Sequence, residues 1–247
     1  MAHCWVSMAT FRPGDPAAVT DLFEQIAPRY DQLNDLLSLG LHRLWKRQAL
    51  LWIGPRPGQQ LLDLCCGTGD LALLLAERVR PAGSVLGVDA AAAPLALARQ
   101  RAERRSWLPL RWLQADVLAT GLPAASADGA VMAYGLRNLA DPAAGLAELH
   151  RLLRPGARAA VLDFNRPDPA SAAGRRSAAL QRQLLRRVVV PVASRAGLRE
   201  HYAYLEQSLE RFPTGSVQES LARGAGFSQA RHRPLAGGLM GLLQLVA

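Results

Sequence analysis

Apolar positions recur at helical spacing between Thr20 and Leu51: Leu22, Phe23 and Ile26, then Leu33, Leu36 and Leu37, then Leu41, Leu44 and Trp45. This stretch predicts N-terminal helices packed as a lid over whatever follows. Beyond it the period changes. Short apolar runs at Leu61–Leu64, Val85–Val88, Leu110–Leu113, Ala130–Tyr134 and Ala157–Leu162 predict five strands. Helical patterns over Leu71–Val79, an alanine-rich stretch to about Arg105, and Ala143–Leu153 separate them. Alternation of this kind predicts a mostly parallel sheet covered on both faces, with ligands at the carboxyl ends of the strands.

After Pro167 the alternation stops. Gly174–Arg187 predicts a helix with Leu180, Leu184 and Val188 on one stripe and Arg175, Arg182 and Arg186 on another. Phe227–Ala247 holds two β-like pieces around Gly237, Gly238 and Gly241, which predicts an antiparallel hairpin added to the sheet edge. The expected organisation is one α/β domain over 19–247 behind a flexible leader at 1–18. Within it, 19–55 supplies N-terminal helices, 56–167 a cofactor-binding core, and 168–247 substrate or lid helices with the hairpin.

The most informative segment is Leu61–Leu71, LLDLCCGTGDL. It reads as a buried strand, a tight glycine turn and the first turn of a helix, an arrangement that brings backbone N–H groups close to a ligand. Ala72 stands where a third glycine of a dinucleotide fingerprint would fall, and no Gly-Lys-Ser/Thr follows, so a P-loop is excluded. Acids at Asp63 and Asp70 suit a cationic ligand better than a pyrophosphate. Asp89 ends the second strand, where a carboxylate can accept both hydroxyls of a ribose. Asp116 follows the third strand and could take an adenine amino group, with the Val117 backbone beside it. These positions point to S-adenosylmethionine. Past the fourth strand, Ala133-Tyr134-Gly135-Leu136-Arg137-Asn138 sets an aromatic, an arginine and an amide where the loop faces the ligand. His201 lies in a predicted helix and reads as structural.

Charge and composition change the picture little. The chain carries 29 basic and 20 acidic residues for a net charge of +9, and Lys46 is its only lysine. Such a balance permits an anionic membrane surface, but the arginines are spread out rather than interleaved with aromatics, so nucleic acid is not expected. Three cysteines, two adjacent at Cys65 and Cys66, make neither a disulfide framework nor a zinc spacing, and no metal is expected. No secretory signal and no bilayer-spanning run is read. The expectation is a cytoplasmic protein with peripheral contact to membrane.

Three motifs resemble those of the class I S-adenosylmethionine-dependent C-methyltransferases of ubiquinone and menaquinone biosynthesis. They are Ile26-Ala27-Pro28-Arg29-Tyr30-Asp31 with Asn34, Ser38, Gly40, His42-Arg43 and Trp45-Lys46; Leu62–Asp70; and Tyr134–Asn138 with Asp141. Within that family Leu162–Pro167, Val189–Ala193, Ser208–Gly215 and Ala236–Gly241 resemble the phylloquinone branch of oxygenic phototrophs. The resemblance implies a Rossmann-like seven-stranded fold and methylation of 2-phytyl-1,4-naphthoquinone on a photosynthetic membrane. By position it implies cofactor contacts from Thr68, Asp89, Asp116 and Val117, and Asp63, Gly67, Gly69 and Ala133 complete the candidate cofactor-binding residues. Ala133 replaces a serine common in the family. Tyr134, Arg137 and Asn138 are the candidate catalytic residues, Arg137 and Asn138 polarising a quinol oxygen. An electron-poor quinone is a bad nucleophile, so the expected substrate is the reduced, prenylated naphthoquinol. Demethylmenaquinone or another prenylated quinol stays open as the acceptor. An RNA methyltransferase, suggested by the charge, is the alternative of another class, though an Asn/Asp-Pro-Pro-Tyr motif is absent.

Overall fold

The computed structural model describes residues 15–26, 38, 40–184, 187 and 199–247. The first element among the described residues is helix α1 (Pro16–Ile26), which begins inside the expected leader. Asp15 explains the earlier start. Its carboxylate accepts a hydrogen bond from the Ala17 N–H at 3.0 Å, and Pro16 occupies the first helical position, where the missing N–H costs nothing. The signature residues 27–34 lie outside the described residues, as does Val189–Ala193.

Helix α2 (His42–Ile53) ends on Gly54 in the left-handed conformation, φ 59°. Its packed side differs from the expected stripe. Leu41, Leu44 and Leu51 are exposed, whereas His42, Lys46, Ala49, Leu50 and Ile53 are buried. Two buried groups that look polar in sequence explain the rotation. His42 is pinned by Ser38 (Oγ to Nδ1, 2.8 Å), and Lys46 donates to the half-buried Asp70 at 3.1 Å.

The alternation then unfolds as expected: β1 (Gln60–Leu64), α3 (Asp70–Val79), β2 (Ser84–Asp89), α4 (Ala92–Glu103), β3 (Leu110–Gln114), β4 (Ala127–Ala133), α5 (Pro142–Leu152) and β5 (Leu153–Phe164). Helices α6 (Ala172–Leu184), α7 (Arg199–Arg211) and α8 (Gly215–Gly224) precede the hairpin strands β6 (Gln229–Leu235) and β7 (Met240–Val246). One seven-stranded sheet results, in the order β3-β2-β1-β4-β5-β7-β6. The first five strands run parallel, and β7 inserts antiparallel between β5 and the edge strand β6. The strand order reverses between β1 and β4, which opens a crevice at their carboxyl ends.

Successive strand residues point to opposite faces, so the apolar runs feed two cores. Leu61, Val85, Val131, Leu162 and Leu242 pack with α2 and α3. Leu62, Val88, Met132, Val161 and Leu243 pack with α5 and α8. Each fully buried leucine, such as Leu75 on one face and Leu149 on the other, contributes about 2 kcal/mol of burial. No helix among the described residues is long and apolar enough to cross a membrane.

Candidate active site

Four strand ends and one helix converge on one cleft. After β1 come Cys65 and Gly67; after β2, Asp89, Ala90 and Ala91; after β3, Asp116 and Val117; after β4, Ala133, Tyr134 and Gly135. Asn138 and Leu139 close one side. Val19, Thr20 and Phe23 of α1 line another, which makes α1 part of the site.

Two of the turns are strained. Cys65 and Tyr134 both take positive φ, 54° and 60°, which non-glycine residues rarely adopt and which costs on the order of 1–3 kcal/mol each. Neighbouring contacts enforce them. The Tyr134 N–H donates to Leu162 O at 2.7 Å, and a Cβ on Gly135 would stand 2.5 Å from the Cys65 sulfur. Only glycine lets the β1 and β4 turns touch. Gly69, at φ 82°, caps α3 and faces the Trp112 ring, 2.6 Å from where its own Cβ would be.

Asp89 joins two turns. Its Oδ2 accepts from the Gly67 N–H at 2.7 Å and its Oδ1 from the Ala91 N–H at 3.0 Å. A carboxylate has about four acceptor positions, so both oxygens retain capacity toward the cleft that they line. Burial pushes its pKa above the ordinary value, and the backbone hydrogen bonds oppose that. Asp116 accepts from the Leu118 N–H at 2.9 Å and is exposed on the cleft wall beside buried Val117.

Asp63 stands behind the loop, 1% exposed, with no hydrogen-bond partner at Oδ2. Desolvation raises its pKa to about 8 despite the opposing Lys46 charge. Thr68 and Gly69 also sit behind the lining. Thr68 Oγ1 accepts from Arg101 at 3.0 Å, and Arg101 reaches Asp70 at 3.1 Å. Asp70 accepts from Lys46 as well, at 3.1 Å. The loop is thus held from α2 and α4 at once. Neither Lys46 nor Arg101 is a site residue on the sequence reading; Lys46 stands out there as the sole lysine and as the end of the N-terminal signature motif.

The Tyr134–Asn138 turn divides. Tyr134 and Asn138 face the cleft, but Arg137 does not line it. Its side chain is 7% exposed and ion-paired to Asp163, 3% exposed, at 3.3 Å. The guanidinium also lies 5.3 Å over the Phe164 ring. Burial raises the Asp163 pKa and the Arg137 charge holds it back. The backbone of His201–Tyr204 falls within α7, as the helix expectation has it.

This arrangement can hold an adenosine-bearing cation: two carboxylates on the wall, a third acid orphaned behind the glycine turn, and apolar side chains above. The orphaned Asp63 Oδ2 is the observation that fits a cationic group, since a buried carboxyl oxygen without a partner is costly.

Solved structures share this architecture at low identity. A S-adenosylmethionine-dependent methyltransferase from Aquifex aeolicus superposes with a TM-score of 0.59 at 16% identity, covering 96% of this chain and 99% of that one. The cyclase SpnF does so at 0.57 and 17%, covering 93% and 94%. A fold shared with a cyclase leaves the reaction open. The decision comes from sequence: residues 13–244 match the model of the ubiE/COQ5 methyltransferase family.

The chain belongs to that family.

It is a S-adenosylmethionine-dependent methyltransferase, with the Rossmann-like fold and C-terminal antiparallel strands expected from its pattern. Relatives named 2-phytyl-1,4-naphtoquinone methyltransferase include one from Nostoc punctiforme, 49% identical over 91% of this chain and 96% of the relative. A chloroplastic protein of Arabidopsis thaliana named 2-phytyl-1,4-beta-naphthoquinone methyltransferase is 43% identical over 90% of this chain and 84% of its own.

Proposed function

We propose that this chain methylates the reduced ring of 2-phytyl-1,4-naphthoquinone, giving phylloquinone in its reduced, quinol form. The observation that carries the reading is the Tyr134–Asn138 turn set on the wall of the carboxylate-lined cleft, in a chain close to half identical to relatives named for that substrate.

S-adenosylmethionine, when bound, supplies an electrophilic methyl group on sulfur. The chain's residues do the rest. Asp89 accepts the ribose hydroxyls, Asp116 and the Val117 backbone hold the adenine, and Asp63 balances the cationic end behind Gly67, Thr68 and Gly69. Ala133 leaves room on the wall where a serine would add a hydroxyl. Val19 and Phe23 keep water from the donor side.

On the acceptor side, a hydroxyl of the quinol gives up its proton and pushes electron density onto the unsubstituted ring carbon. That carbon forms the new C–C bond as the S–CH3 bond breaks, and its C–H proton then leaves to restore the aromatic ring. Asn138 and Tyr134 orient the ring oxygen, and the charge of Arg137 behind them stabilises the developing phenolate. An arginine is too basic to accept the proton itself.

The test compares acceptors. With labelled methyl donor, reduced phytyl-naphthoquinol becomes labelled at a rate at least tenfold above the oxidised quinone, and above polyprenyl naphthoquinols. Equal labelling of the oxidised ring contradicts the mechanism, and a polyprenyl preference contradicts the assigned substrate.

Membrane contact is part of the same proposal, because a phytyl tail resides in lipid. Helix α6 exposes Arg175, Arg176, Leu180 and Arg182, and α2 exposes Leu44 and Leu51 beside Arg43 and Arg47. Leucines among arginines suit an anionic lipid surface.

A further inference from the structure

Arg137 is buried, yet its hydrogen bonds lead in two directions. Toward the core, its backbone N–H donates to Asp163 Oδ2 at 3.0 Å and its Nε to Oδ1 at 3.3 Å. Toward the site, Nη1 donates to Asn138 Oδ1 at 3.2 Å and to Ser208 Oγ at 2.7 Å. The Asn138 amide is therefore held at both ends, since its Nδ2 donates to Tyr134 O at 2.7 Å. Turning that amide over would set nitrogen against guanidinium and oxygen against carbonyl.

Ser208 sits on α7 and is 2% exposed. Its single hydroxyl hydrogen goes to Leu205 O at 2.9 Å, one turn back along the helix. The lone pairs are then turned to Arg137, for which the hydroxyl can only be an acceptor. Helix α7 is also tied at its end, where Arg166 Nη1 donates to Phe212 O at 3.0 Å. The contact Ser208–Arg137–Asn138 runs from a helix outside the cofactor core to an amide on the cleft wall.

We infer that Ser208, with Asp163 on the opposite side, is a positioning residue that fixes Arg137 and through it the cleft-facing Asn138 amide, so that docking of α7 is a condition of catalytic geometry. This rests on the functional reading above and deepens it. Ser208 touches no reacting atom. Its hydroxyl, rather than its bulk, carries the effect. Asp163 sets the angle of the guanidinium and Ser208 sets its reach.

The test uses the full chain with Ser208→Ala and Ser208→Thr, with two readouts. Ser208→Ala lowers kcat on the reduced acceptor about tenfold, while affinity for S-adenosylhomocysteine stays within about twofold; Ser208→Thr recovers most of the loss. Independently of turnover, the Asn138 side-chain amide protons exchange faster with solvent in Ser208→Ala, read by NMR in the wild type and both variants. An unchanged kcat and exchange rate overturns the inference. So does a parallel fall in turnover and donor affinity, or a threonine that restores neither readout. A wild type that labels no quinol refutes the functional reading instead, and the exchange rates then still decide the role of Ser208.

Discussion

Asp63 concentrates the electrostatic conflict of the cleft. It is buried, one oxygen lacks a partner, and its pKa is raised from 3.8 to about 8. In the unfolded chain it ionises near the ordinary carboxylate value, whereas in the fold it holds its proton to about 8. Between those values the folded state binds more protons, so stability falls as pH rises from about 4 to about 8. Asp63→Asn has no proton to lose. Urea unfolding near pH 5 and pH 9 is expected to show a smaller loss for the variant than for the wild type, with donor affinity above about pH 8, where the wild-type acid is ionised, reduced about tenfold by the missing charge. Equal pH slopes would remove Asp63 from this role. The acid itself was legible in sequence from its place before the glycines. That only one of its oxygens is satisfied was not, because the groups that lower its pKa, the Lys46 charge and the Ala72 backbone, arrive from other elements.

At the scale of elements, α1 and α4 depend on each other. Helix α4 starts after Ala91, which offers no capping side chain. Glu24 of α1 supplies the cap, accepting from the Ala92 N–H at 2.5 Å and the Ala93 N–H at 2.9 Å. A lost N-cap is worth about 1 kcal/mol, and here the same contact seats Val19, Thr20 and Phe23 on the cleft. Glu24→Ala is expected to weaken donor binding about fivefold in calorimetry, with thermal unfolding shifted by only a few degrees. Unchanged affinity would show that α1 is held over the site by other contacts. Capping partners far apart along the chain leave no local pattern, which is why this latch was invisible in sequence, unlike the capping of α5 by Asp141 (2.8 and 3.1 Å to the Ala143 and Ala144 N–H groups). The central strands β1, β4 and β7 were legible because they are buried on both faces and read as continuous apolar runs. The α2 stripe was not, since a buried histidine and a buried lysine share its inner side with Ala49, Leu50 and Ile53 while Leu44 and Leu51 face out.

Across the whole molecule, the sheet presents the cleft at the ends of β1 to β4, and the chain after Pro167 adds helices and a hairpin around it. Helix α7 braces Arg137, the hairpin covers β5, and α6 lays its arginines on the surface. If α6 and α2 rest on lipid, the protein is expected to float with vesicles containing anionic lipid at low salt and to be released at about 0.5 M salt. Binding that ignores both lipid charge and salt would contradict the assigned surface.

The central claim is that the cleft at the carboxyl ends of β1 to β4 is the donor site. It is tested most directly by calorimetric titration of the purified chain, wild type and Asp89→Ala, with S-adenosylmethionine and S-adenosylhomocysteine. The account predicts one site per chain for both ligands and at least a tenfold loss of affinity in Asp89→Ala. No binding by the wild type, or equal binding by the variant, would contradict it.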